Sequence, residues 1–97
     1  MRRTDVRPCL FPLGRILVTP RVMEVMIVAG TSADDLLRRH QAGDWGEVTS
    51  IDGQENDRAL RLGARILSSY NLCDTVKIWI ITEADRSVTT IMLPSEY

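Results

Sequence analysis

Residues 75–93 read TVKIWIITEADRSVTTIML, two apolar, β-branched arms around a charged centre. Branched and aromatic side chains pack well on a pleated surface, so this composition predicts a β-hairpin. With Ala84 and Asp85 as the central turn residues, Glu83 faces Arg86, Ile81 faces Val88, Trp79 faces Thr90 and Lys77 faces Met92. The opposite face joins Ile80 to Thr89, Ile78 to Ile91 and Val76 to Leu93, and is the drier of the two.

Working back towards the N-terminus, NLCD at 71–74 makes a turn, and ARILSSYNL at 64–72 alternates Ile66, Ser68 and Tyr70 with Arg65, Leu67 and Ser69. That period permits a third strand, with a continued helix through Ile66 and Leu67 as the alternative. Upstream the period is helical. PRVMEVMIVAG places Val22, Met23, Met26 and Ile27 on one stripe, opened by Thr19 as cap and Pro20 at the first position and closed by Gly30. TSADDLLRRHQAG has a capping residue in Thr31 or Ser32, acids in its first turn and bases in its last, as the helix dipole favours, and buries Leu36 and Leu37. A glycine-flanked connector around Trp45 leads to IDGQENDRALRLG, a third helix entered near Asp52 and Glu55 with Leu60 inward.

GRILVTP at 14–20 completes the order as a short first strand. Strand, three helices and a three-stranded meander make an α+β domain, with helices packed on one face of a mainly antiparallel sheet. Residues 1–9 form a flexible basic arm and 10–97 the single domain. Trp79 is expected to pack beneath the helices, with Trp45 closing the edge of the same core.

Composition narrows the function classes. A net charge of -1, from 12 basic and 13 acidic residues in a chain of 97, creates no overall field towards a polyanion. Cys9 and Cys73 stand in neither a CxxC pair nor a multi-cysteine framework, which suits free thiols in a reducing compartment. Asp5, Arg7 and the prolines at 8 and 12 interrupt the N-terminus before a signal-peptide core can form. The expectation is a soluble cytoplasmic protein without a membrane partner. One histidine and scattered carboxylates do not assemble a metal site, and no nucleotide motif calls for a cofactor.

His40 ends the second helix, where the dipole raises its pKa, with Asp44 and Glu47 close in sequence. Brought near Arg86 and Ser87, it would complete the acid–base set of a metal-independent ribonuclease acting on RNA. The ordinary reading is an imidazole bonded to a carbonyl at a helix terminus. Around the hairpin tip, Arg86 with Ser87 and Thr89 offers a guanidinium fork and hydroxyls to a phosphate, a carboxylate or a partner protein, beside Glu83 and Asp85. The ordinary reading there is an exposed Glu83–Arg86 pair closing a turn.

FPLGRILVTP, LLRRHQAGDWG, ENDRALRLGARILSSY and above all WIITEADRSVTTIMLPSEY resemble a family of small bacterial proteins carried on plasmids, integrative elements and prophages, often labelled plasmid-related proteins. The resemblance implies an accessory protein of a mobile element, acting as a protein-interaction module on a host or element-encoded partner. Its surface would be the hairpin tip and the connector with Asp44 and Trp45, and the reading leaves room for a homo-oligomer. A more distant, fold-level resemblance runs to the barnase and RelE type ribonucleases, which implies as the alternative such an enzyme or an inactive descendant of one.

Overall fold

The computed structural model describes residues 8–73 and 75–97, so residues 1–7 of the expected 1–9 arm lie outside the described residues. The chain runs β1 (Arg15–Val18), α1 (Pro20–Ala29), α2 (Ala33–Gln41), α3 (Ser50–Leu62), β2 (Ile66–Cys73), β3 (Val76–Thr82) and β4 (Val88–Met92), ending in a 3-10 turn over Pro94–Glu96. The four strands form one sheet in the order β1-β4-β3-β2. β2, β3 and β4 are an antiparallel meander, and β1 joins its edge parallel to β4. This is the α+β architecture the hydrophobic pattern called for, with the parallel pair added.

Local chemistry explains the helix ends. The Thr19 hydroxyl accepts the Val22 N–H at 3.3 Å with Pro20 following, and Gly30 closes α1 at φ 69°. The Ser32 hydroxyl caps α2 through the Asp35 N–H. The start of α3 differs from expectation: Thr49, not Asp52, is the cap, its hydroxyl accepting the Asp52 N–H at 3.1 Å, so the helix begins inside what read as connector. Gly63 ends it, and the ambiguous stretch beyond is strand.

All three helices cover the sheet face that carries Ile66, Ser68, Tyr70, Ile78, Ile80, Thr82, Thr89 and Ile91, each buried. Val22 and Met26 of α1 and Leu36 and Leu37 of α2 pack on Tyr70, Ile78, Ile80 and Ile91. Phe11, Trp45, Ala59 and Ile66 form a second cluster where α3 meets the sheet. Ala59, rather than Leu60, is the apolar residue α3 buries, and beside it Asn56 is buried too.

Two expectations need correction here. The hairpin register is Thr82↔Thr89, Ile81↔Thr90, Ile80↔Ile91 and Trp79↔Met92, shifted by one pleat from a two-residue turn. Arg86 adopts φ 62°, its N–H bonds Glu83 O at 2.9 Å, and Glu83 N–H bonds Val88 O at 3.0 Å, which makes the loop longer. A slip by an even number leaves every side chain on its own face, so the dry face was assigned correctly although its pairs were not. The two tryptophans, however, lie on opposite faces. Trp45 is buried with the helices, whereas Trp79 is half-buried on the other side against Tyr97, ring centroids 5.7 Å apart.

Candidate functional site

A buried row of hydroxyl side chains surrounds His40. Its ring has no solvent exposure and lies between the last turn of α2 and the sheet. Nδ1 is 2.6 Å from Ser68 Oγ on β2, and Nε2 is 2.9 Å from Thr82 Oγ1 on β3. Thr82 Oγ1 is in turn 2.7 Å from Thr89 Oγ1 on β4, and the Thr89 hydroxyl donates to the Leu13 carbonyl at 2.7 Å. Counting protons along this row orients every bond. Thr89 gives its hydrogen to a carbonyl that can only accept, so Thr82 donates to Thr89 and must accept from His40 Nε2–H. That leaves Nδ1 bare to accept from Ser68.

A neutral imidazole in one tautomer therefore satisfies all four side chains. Burial, followed by the positive charge of Arg86, lowers the His40 pKa to about 3. The dipole argument from sequence had the opposite sign, and it fails because removing an imidazolium from water costs more than a helix terminus returns. Among the described residues the ring nitrogens bond hydroxyls and no carboxylate. Asp44 instead holds Arg39 through two bonds, Nε to Oδ2 at 2.6 Å and Nη2 to Oδ1 at 3.2 Å, which raises the Arg39 pKa. Phe11 and Trp45 close over His40 edge-on, at centroid distances of 5.2 and 6.0 Å.

Arg86 is near this cluster but turned to another task. Its Nη2 donates to Ala59 O at 2.9 Å and its Nη1 to Ala64 O at 2.6 Å, so the guanidinium caps the carbonyl end of α3. Further bonds reach the Glu83 and Ala84 carbonyls at 3.2 and 3.3 Å, and the group sits 5.6 Å from the Phe11 ring centroid. The expected Glu83–Arg86 ion pair is replaced by this contact with the Glu83 backbone. Ser87 closes a small turn on Asp85, its N–H and hydroxyl meeting Oδ1 at 3.0 and 2.6 Å, and these bonds hold the Asp85 carboxyl below its ordinary pKa.

The structure thus brings His40 and Arg86 to the same Phe11 ring and turns Ser87 to Asp85. Thr89 and Trp45 are buried, while Asp44, Glu83, Asp85 and Ser87 are exposed. The connector is fastened down: Trp45 Nε1–H donates to Asp57, and Tyr70 OH to the Asp44 carbonyl at 2.6 Å. Sequence reasoning missed Ser68, Thr82 and Asn56. The available signal was the placement of hydroxyls at inward positions of isoleucine-rich strands, beside the chain's single histidine.

Elsewhere, α1 presents Met23, Ile27 and Val28 at 48, 72 and 88% exposure. Beside it runs a groove of about 510 Å³ lined by Val25, Val28, Ala29, Leu72 and Val76, with Glu24 and Cys73 among its lining residues. Both Cys9 and Cys73 are free and exposed. Among the described residues no cluster of three or more His, Cys, Asp or Glu side chains is placed to hold a metal, and no helix is long and apolar enough to cross a membrane. No protein-family model, curated protein or solved structure matches this chain.

Proposed function

We propose that the protein is a non-catalytic interaction module, an accessory protein of a bacterial mobile element, and that α1 and its groove receive a host or element-encoded protein. One observation carries this reading: Ile27 and Val28 stand 72 and 88% exposed on a helix whose only charged residues are Arg21 and Glu24. A lone exposed aliphatic is ordinary, but a contiguous set beside an apolar groove is the surface an amphipathic helix covers. Glu24 on the rim favours a partner with a basic residue next to its apolar stripe.

The buried histidine supports the same reading. A group sealed from solvent, with both ring nitrogens bonded and a pKa of about 3, has neither access to RNA nor a proton to exchange near neutrality.

The test is capture from bacterial lysate, cleared of nucleic acid, by the parent and by Ile27→Glu/Val28→Glu. Both substitutions are at exposed positions, so each should alter stability by no more than about 0.5 kcal/mol. The expected result is one protein held by the parent and by Glu83→Ala but lost from the α1 variant. Capture indifferent to the α1 substitutions would remove the assignment. So would RNA cleavage by the folded parent that is abolished in a folded His40 variant.

A further inference from the structure

The sheet has two outer edges, and the chain treats them differently. The β2 edge is covered from within. Asn56 Nδ2 donates to Leu67 O at 2.8 Å while its Oδ1 accepts Leu67 N–H at 3.1 Å, and Ser69 exchanges backbone bonds with Trp45 O and Glu47 N. Among the described residues nothing covers the β1 edge in this way. Arg15 and Thr19 point their N–H groups at Ser87 O and Ile91 O of the β4 segment. By the alternation of a strand, Ile16 and Val18 turn their N–H and C=O groups the other way, where no described residue bonds them. The strand has no lysine, proline or bulge to discourage pairing, and Ile16 and Leu17 are 40 and 41% exposed.

We infer that β1 pairs antiparallel with β1 of a second copy, about a two-fold axis at Leu17, joining two sheets into one. The outward groups of Ile16 and Val18 allow three symmetric registers, and the flanks remove two of them. Centring on Val18 sets Ile16 opposite Pro20, which has no N–H, and centring on Ile16 requires extended backbone at Gly14, which is held at φ 66°. Centring on Leu17 pairs Ile16 with Val18 of the other copy, twice, each pair exchanging both backbone bonds.

Charge favours the same register. Arg15, Leu17 and Thr19 share a face, so Arg15 of one copy lies across from Thr19 of the other, and the Thr19 hydroxyl holds Glu96 Oε1 at 2.8 Å. Among the described residues Arg15 has no carboxylate partner. A second copy supplies one at each end of the strand pair. This inference does not depend on what α1 binds, because β1 and the α1 groove share no residue.

The experiment is sedimentation of the full chain over a range of concentrations, read with amide exchange. A four-residue strand pair lies at the small end of specific interfaces, so the expected dimer dissociates in the micromolar range. The mass should double from 10.9 kDa, with Ile16 and Val18 amides gaining protection as concentration rises while Leu17, bonded inward, does not change. Leu17→Asp and Leu17→Lys should each be monomeric, and an equal mixture of the two should dimerise. Arg15→Glu, at an exposed site, should weaken the parent dimer roughly tenfold and serves if the Leu17 variants fold poorly. A parent that stays monomeric to about 1 mM would overturn the inference. A dimer indifferent to all three substitutions would overturn it too, as would protection of Ile16 and Val18 that is equal at every concentration, the mark of cover by the chain's own N-terminal arm.

Discussion

At His40 a single proton decides the energetics. The folded pKa of about 3 lies below the ordinary 6.5, so between those values the unfolded chain binds a proton that the folded chain does not. Stability from this site is therefore complete above about pH 6.5, falls as the pH drops, and has nothing further to lose below about pH 3. The total is on the order of 5 kcal/mol, comparable with the whole stability of a small domain. Acid titration followed by circular dichroism should show that loss in the parent and a flatter profile in His40→Gln, which starts less stable because part of the hydroxyl row loses its partner. Arg86 gives a second residue-scale prediction. Its guanidinium bonds Ala59 O and Ala64 O, so Arg86→Ala should cost about 2–3 kcal/mol in urea unfolding, against a few tenths for Glu83→Ala. Arg86→Gly should recover about 1 kcal/mol of the Ala loss, since only glycine takes φ 62° without strain. Equal melting of all three variants would return the tip to an ordinary exposed turn.

The elements were legible where their signals were local and obscure where the partner lay far along the chain. Thr19, Pro20 and Gly30 marked α1 because a cap needs only neighbours, and alternation marked the inward face of β3 and β4. Arg86 gave no hint of its left-handed backbone, so the turn was drawn too short; nor does any local pattern say that its guanidinium ends on α3. The hydroxyls that hold His40 come from three strands, and only the sheet register brings them into one row. The tryptophans test the assignment of faces. Trp45 is buried among Phe11, Ala59 and Ile66, so Trp45→Ala should cost about 3–5 kcal/mol. Trp79, half-buried against Tyr97, should cost well under that, about 1–2 kcal/mol. A larger loss at Trp79 than at Trp45 would place the helices on the other side of the sheet.

For the molecule as a whole, the parallel pairing of β1 with β4 brings Leu13 and Arg15 to Thr89 and Ser87 and so closes nearly the whole chain into one loop. Such closure is slow to form and yields its contacts only once the meander exists, so β1 should be the last strand to dock and the first to open. Gly14 is the point on which that docking turns. It sits at φ 66°, and a Cβ there would lie 2.3 Å from Ser87 O, a backbone atom that cannot swing aside. Gly14→Ala therefore adds both backbone strain and overlap, together about 2–5 kcal/mol. The cost falls on one contact, which gives the variant a specific signature. Amide exchange should show Arg15, Leu17 and Thr19 losing protection by a sub-global opening while Ile78 and Ile80 keep theirs, because β2 and β3 remain paired. Opening β1 also withdraws Leu13 O from Thr89, so the row ending at His40 loses its terminal acceptor, and the acid sensitivity of the variant should begin at a higher pH than the parent's. Uniform loss of protection across all four strands would mean that β1 docks with the meander as one cooperative unit.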